Sequence, residues 1–492
     1  MRPSHLAGLI MLLAACAVGP TTNVKPATPA PLATRDQQAD SGARSFIDSL
    51  AVARLAEQKD SGLATLWQAQ PLAVDSMGDL AWIRILRDST LLTLVNTAVT
   101  NNRELRVAIG RVQEYRALNG VGKADLFPQL TANATASTNQ VVFGSLGTQS
   151  YDAVTITGNL SWELDFWGRL RRQAEASKFD YLASQEDRRA TTITLISDVA
   201  IAYLELKELD EDLRISEETL ASRKSTLGLA QKRFNQGVIS ELDVRQFEAQ
   251  AADPAARVAD FQRQRRQKEN ALSVLLGQEP GTIGRGAPLA ETIQSVEIPD
   301  SLPSALLMRR PDVLSAQRQW SAASARVGIA LGNRLPKVMI TGLYGTQRPD
   351  FSGLFGKSGE IYTLQGGISL PLFTGGRLLN QQRAAQARVE QARNRYEQTV
   401  LAALQETSDA LVSARTNRDQ LVAQETQARA LKRALDLAQS RYSSGVSSYL
   451  EVLDAQRTLF TAQLTLVQVQ RQYLSSTVQL YKALGGSWDP AN

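Results

Sequence analysis

Residues 120–277 of this chain recur, 208 positions later, as residues 328–485. The offset carries Gly120 to Gly328, Pro128 to Pro336, Gly158 to Gly366, Gly168 to Gly376, Arg169 to Arg377, Gly237 to Gly445 and Gly277 to Gly485, without a gap. Within it LAQKRFNQGV (229–238) becomes LAQSRYSSGV (437–446), with six of ten positions identical. One offset held through glycines and prolines marks a tandem duplication, so whatever one copy folds into, the chain contains twice.

Both copies share one grammar. A helical pattern (about 88–123, and about 303–332) ends at Leu-Phe-Pro or Arg-Leu-Pro, where proline stops the helix. The period then changes to two. Val154, Ile156, Gly158, Leu160, Trp162 and Leu164 alternate with Thr155, Thr157, Asn159, Ser161, Glu163 and Asp165. In the second copy Tyr362, Leu364, Gly366, Ile368, Leu370 and Leu372 alternate with Thr363, Gln365, Gly367 and Ser369. A weaker strand precedes each, so each copy supplies one hairpin. Alternation alone fits either a transmembrane β-strand or a half-buried sheet in a soluble domain. The membrane reading is preferred because the flanking helices are too long to fold back over a small sheet.

Those helices carry a sustained seven-residue repeat: Val199, Leu206, Leu213, Leu220, Leu227 and Phe234 in the first copy, Val452, Leu459, Leu466, Tyr473 and Leu480 in the second. That is the spacing of a coiled-coil seam. A helix from about 167 to 234 is about 100 Å long at about 1.5 Å per residue. Pro254 falls in the returning helix of the first copy where the second has Ala462, and a kink is expected there. Four strands cannot close a membrane barrel, which begins at about eight, and open edges are not tolerated in lipid. Several copies of the chain must therefore pool their strands.

Composition excludes most chemistry. The single cysteine and single histidine, Cys16 and His5, lie within the first sixteen residues, which removes metal-site, redox and triad chemistry. No cofactor is expected, and no phosphate-binding loop occurs. A balance of 54 basic against 49 acidic residues is too diffuse to suggest nucleic acid. MRPSH followed by LAGLIMLLAA reads as a secretory signal, too short to span a membrane as a helix. Leu13-Ala14-Ala15-Cys16 resembles the lipobox of bacterial lipoproteins, which implies cleavage before Cys16 and its acylation. The alternative is an ordinary signal peptide with an incidental cysteine. Ala17, standing where an aspartate would retain such a protein, resembles sorting to the outer membrane.

The chain is similar to TolC-like outer membrane factors, and most of all to the lipoprotein branch serving multidrug (RND-type) efflux systems. The residues that carry the resemblance are Cys16 with its lipobox, Leu302-Pro-Ser-Ala-Leu-Leu-Met-Arg-Arg-Pro-Asp-Val313, Leu370-Pro-Leu-Phe-Thr-Gly-Gly-Arg377, and the paired Arg-aromatic-x-x-Gly-Val turns at 233 and 441. The resemblance implies a mixed α/β membrane protein. Three copies would form one twelve-stranded antiparallel outer-membrane β-barrel, with four strands per chain, continued by a long α-helical coiled-coil periplasmic barrel. It implies no catalysis but an exit duct, working with a periplasmic adaptor (membrane fusion) protein and an inner-membrane transporter. The alternatives are a type I protein-secretion duct and a non-transporting coiled-coil scaffold. The chain divides on this reading into a signal peptide (1–15), lipidated N-terminus and tether (16–35), extension (36–87), first repeat (88–280, strands 131–143 and 151–166), linker (281–302), second repeat (303–486, strands 338–347 and 361–373) and tail (487–492).

Two groups of residues are candidates for function. Gly237 and Gly445 sit where long helices must reverse, and glycine accepts the left-handed cap such a turn needs. They can be caps and nothing more; the resemblance implies that Arg233, Phe234, Gly237 and Val238, and Arg441, Gly445 and Val446, form tips docked by the adaptor. Glu451 and Asp454 share one helix face just inside the second tip. As a catalytic couple they lack a cleft and unequal environments, and as a solvated face they need no role. The resemblance implies that they and Tyr442 form a periplasmic gate, three copies making a negative ring that favours cations and resists closure. Ser447 departs from the basic residue some relatives carry. The first-copy counterparts of the acids are Asp243 and Gln246, so that copy keeps only one of the pair.

Overall fold

A computed structural model describes residues 88–142, 148–293, 309–351 and 359–486. Cys16, the signal, tether, extension and tail lie outside the described residues. In chain order the elements are α1 (Ser89–Asn101), α2 (Arg103–Ala124), β1 (Gln129–Val142), β2 (Thr148–Leu164), α3 (Arg169–Asn235), α4 (Glu241–Leu275), α5 (Leu289–Ile293), α6 (Pro311–Gly332), β3 (Lys337–Arg348), β4 (Glu360–Ser369), α7 (Arg377–Ser443) and α8 (Tyr449–Ala483). The duplication is kept to the residue. The bounds of α6, α7 and α8 are those of α2, α3 and α4 advanced by 208.

The chain forms two compact units, and each draws on both copies: Val107–Arg189 with Pro311–Thr399, and 88–106 with Ala190–Arg310 and 400–486. The first unit holds one antiparallel sheet in the order β1-β2-β3-β4. Its register brings Leu130, Leu160, Gly342 and Leu364 into one row, and Ala132, Gly158, Tyr344 and Tyr362 into the next. Because side chains alternate along a strand, most of the large apolar residues of the four strands share one face. On that face Leu130, Tyr344, Leu364, Ile368 and Tyr362 stand open, Tyr362 at 79%. The opposite face carries Thr131, Asn159, Thr341 and Gln365, with Met339, Leu343 and Ile361 interspersed. Large apolar side chains left open on one side of a sheet are what lipid requires. No described helix is long and apolar enough to cross a membrane.

β4 ends at Ser369, short of the expected 373, because Pro371 has no N–H to donate to a ladder. The two strand-to-helix joints then differ. After β2, the Asp165 carboxylate accepts from the N–H groups of Leu170 and Arg171 at 3.0 and 2.9 Å, satisfying the orphan donors of α3. Arg169 forks onto Glu163 at 2.9 and 2.8 Å. After β4, the counterparts of Glu163 and Asp165 are Pro371 and Phe373, and Gly375 and Gly376 make the bend at φ +59° and +78°. Phe373 is 91% exposed.

In the second unit the heptad residues pack as stacked layers, such as Leu421 with Val469 and Tyr473, and Ala410 and Ala414 with Leu480 and Leu484. One feature departs from expectation. The single helix expected over 88–123 is two, broken at Asn102. There the Asn102 side chain accepts from the N–H of Leu105 at 3.0 Å and donates to the Leu275 carbonyl at 2.9 Å. Its counterpart Arg310 donates to the Ala483 carbonyl at 2.8 Å, so each copy closes the end of its returning helix with a side chain from the start of its first long element. Pro254 lies inside α4. Proline orphans the carbonyl four residues back, and Arg223 of α3 donates to that Gln250 carbonyl at 2.6 Å.

Candidate functional site

The expected turns are helix reversals in the second unit, and their backbones are the same. At the end of α3, Val238 N–H donates to the Arg233 carbonyl and Gly237 N–H to that of Phe234, at 2.9 and 2.8 Å. At the end of α7, Val446 donates to Arg441 and Gly445 to Tyr442, both at 3.0 Å. These are Schellman caps with glycine in the left-handed region at φ +74° and +72°. Both tips present apolar surface: Phe234, Val238 and Leu242 on one, Val446 and Leu450 on the other, are exposed.

The side chains do different work at the two tips. Across the reversals, the Arg233 guanidinium donates to the Tyr442 hydroxyl at 2.9 Å. Tyr442 meets the edge of Tyr449 at 4.9 Å, and Tyr449 meets Phe247 at 4.9 Å. Arg233 and Tyr442, assigned by sequence to docking and to the gate, are therefore in direct contact. Burial raises the Tyr449 phenol above its ordinary range.

Glu451 and Asp454 do not touch one another's partners. Glu451 lies 3.6 Å from Arg441, across the turn, and Asp454 lies 2.8 Å from Arg457, one turn along α8. Both acids are surface groups in the single chain, 51% and 65% exposed, and pairs of this kind contribute about 0–1 kcal/mol. At the first tip the counterpart Asp243 is a helix cap. Its carboxylate accepts from Ser240 N–H at 3.0 Å while Ser240 Oγ accepts from Asp243 N–H at 3.3 Å. Ser448, the counterpart of Ser240, makes no such side-chain bond. Copy one spends its acid on holding its own helix; copy two leaves its two acids facing outward.

Three polar features of the second unit escaped the sequence reading. Asp88, the cap of α1, lies buried against Lys207 at 3.2 Å and the Tyr203 hydroxyl at 3.1 Å, and Gly286 N–H donates to that hydroxyl at 2.7 Å. Burial lowers the Lys207 ammonium. Asp212 is buried with Oδ1 unpartnered among the described residues. Burial first, then Glu208 and Glu211, push its carboxyl up to about 7. The third is Arg223 beneath Pro254, which also stacks on the buried Phe460 at 5.4 Å. One signal could have found them all, since the second copy has Leu411, Arg415, Gln420 and Leu431 where the first has Tyr203, Lys207, Asp212 and Arg223.

A sheet with one lipid-compatible face, joined to paired helices of 67 and 35 residues, defines a subunit of an outer-membrane duct. The family model for outer membrane efflux proteins matches this chain twice, over residues 94–278 and 302–486. The chain belongs to the outer membrane efflux protein family. It is 35% identical over 406 residues to the solvent efflux pump outer membrane protein SrpC of Pseudomonas putida, covering 82% of this chain and 86% of that one. It is 33% identical over 417 residues to a probable outer membrane lipoprotein, SilC, of Salmonella typhimurium, covering 85% and 90%. The solved structure of CusC superposes with a TM-score of 0.77 at 32% identity, covering 86% of this chain and 96% of that one.

Proposed function

We propose that three copies of this chain close one twelve-stranded barrel in the outer membrane and form the passive exit duct of a tripartite efflux pump for small toxic compounds. The observation that carries this is the four-stranded sheet itself, apolar on one face, mainly polar on the other, and open at both edges. Such a sheet is stable in lipid only when copies close it, and closure puts the polar face around a lumen. The names of SrpC and SilC support efflux at the outer membrane and, for SilC, a lipoprotein; on this reading Cys16 carries the lipid.

The tips are the docking surfaces for a periplasmic adaptor, which links the duct to an inner-membrane transporter. Their exposed Val238, Leu242, Val446 and Leu450 offer apolar anchors, with Arg233 and Arg441 beside them. Glu451 and Asp454 act as one third of an acidic ring, and Tyr442 as its aromatic neighbour. The Arg441–Glu451 pair supports a link between docking and gating, because an adaptor that engages Arg441 releases Glu451 to the ring.

Single-channel recording in planar bilayers tests the gate. Asp454→Ala and Glu451→Gln should each change conductance and reduce cation preference, whereas Asp243→Ala should change neither. Equal behaviour of all three variants would remove the gate assignment. Deleting the gene should raise sensitivity to organic solvents or metal ions; unchanged tolerance to both would oppose efflux of small compounds.

A further inference from the structure

We infer that the contacts made inside one chain specify, residue by residue, the seam between two chains. The inference rests on the reading that copies of this chain close one barrel, and it names which residues meet there. A pore does not exist in one chain, so the seam completes the site.

The two copies of the duplication meet at the β2–β3 ladder. Paired residue numbers there total 502 throughout, from Val154 with Arg348 to Leu164 with Val338. Advancing β2 by 208 gives β4, and setting β3 back by 208 gives β1. Those two strands are the open edges of the sheet. The total is unchanged by that exchange. β4 of one copy therefore pairs antiparallel with β1 of the next as Tyr362 with Gln140, Leu364 with Thr138, Gly366 with Ala136 and Ile368 with Ala134. The alternate positions pair Thr363 with Asn139, Gln365 with Ser137, Gly367 with Thr135 and Ser369 with Asn133. This register keeps Ile368 and Leu364 on the apolar face and makes these four alternate pairs polar or glycine, with Ile361 the apolar exception further along β4. A slip of one residue would turn one strand's apolar face to the lumen. The two hairpins themselves obey the rule: Gln129 pairs with Ser161, and Lys337 with Ser369, each partner advanced by 208.

The helices of the same unit give an independent indication. α6 packs against the start of α3 so closely that a Cβ on Gly328 would lie 2.9 Å from Arg172 Cγ, and one on Gly332 2.9 Å from Arg169 Cβ. The counterpart of Gly328 is Gly120 on α2, and a Cβ there would meet nothing within 4 Å. Along the same helices Ser315 and Ala323 of α6 are buried, while their counterparts Val107 and Tyr115 of α2 are exposed. Twin helices with unequal cover leave one uncovered face of known shape. The counterpart of α3 is α7, so α7 of the next copy covers α2, with Asn380 over Gly120 and Arg377 over Ala124.

Disulfide trapping of the full-length protein in outer-membrane fractions tests this, with trimer monitored by native electrophoresis. In one chain β1 and β4 are three strand spacings apart, about 14 Å, beyond disulfide reach, so any link joins two chains. Thr135→Cys with Gly367→Cys should give covalent dimers and trimers on mild oxidation, at least tenfold more than the shifted pair Thr135→Cys with Gln365→Cys. Gly120→Cys with Asn380→Cys should link likewise, independently of the barrel. A shifted pair that links as well as the matched pair, or no link in a protein that still runs as a trimer, overturns the seam and leaves the duct. A protein that runs only as a monomer overturns the trimeric reading as well.

Discussion

The two helix reversals share a backbone and differ in what they do with an acid. The first ties Asp243 into a capping box with Ser240; the second leaves Ser448 without a side-chain bond and frees Glu451 to reach Arg441. Duplication copied a fold to the residue, and divergence then acted on side chains the fold did not need. The same contrast runs up the long helices, where Asp212 and the Arg223–Pro254 contact of the first copy face Gln420, Leu431 and Ala462 of the second. The copies can be set against each other experimentally.

The largest difference is expected at Asp212. Burial and the neighbouring acids hold its carboxyl at about 7 in the folded chain, above its ordinary 3.8, so the folded chain binds a proton more tightly than the unfolded one. Stability is therefore lost as pH rises between those two values and is flat above the upper one. Asp212→Asn should leave stability unchanged near pH 4 and raise it by on the order of 2 kcal/mol at pH 8. Gln420→Asp, at an exposed position, should stay within about 0.5 kcal/mol throughout. Denaturant melts of the two variants across pH 4 to 8.5 check this; a pH-independent effect at 212 would mean that the carboxylate is paired.

An effect of similar size, independent of pH, is expected where α3 supports α4. Arg223→Met leaves the Gln250 carbonyl unpaired and should cost about 1–3 kcal/mol. Pro254→Ala restores an N–H for that carbonyl, and in its background the same substitution should cost less than about 1 kcal/mol. A double-mutant cycle with no coupling would refute the rescue. The smallest contrast lies in the caps. Ser240→Ala should cost about 1 kcal/mol, and Ser448→Ala close to nothing, by thermal unfolding of the same preparation.

Sequence carried much of this architecture because its strongest signals are those a backbone cannot evade. Gly237 and Gly445 had to cap, Pro128 and Pro336 had to end helices, and the period-two runs had to put Leu160 and Leu364 on one face. The break at Asn102 was hidden because it depends on a carbonyl at Leu275, 173 residues away. The partner that Pro254 needs was hidden for the same reason, since no local pattern announces that Arg223 will satisfy the carbonyl that proline orphans. Glu451 and Asp454 were legible as a pair on one face, but their partners Arg441 and Arg457 follow from rotamers and turn geometry.

The stacked layers of the second unit have a mechanical consequence. Layers such as Leu421 with Val469 and Tyr473 are formed by residues close together along the helix pair, so free energy there adds up locally, as in a solenoid. The far end of such a stack can melt one layer at a time. Movement at the reversals then requires no hinge residue and disturbs no strand pairing. Amide exchange should accordingly fall off in steps from the tips inward along α7 and α8.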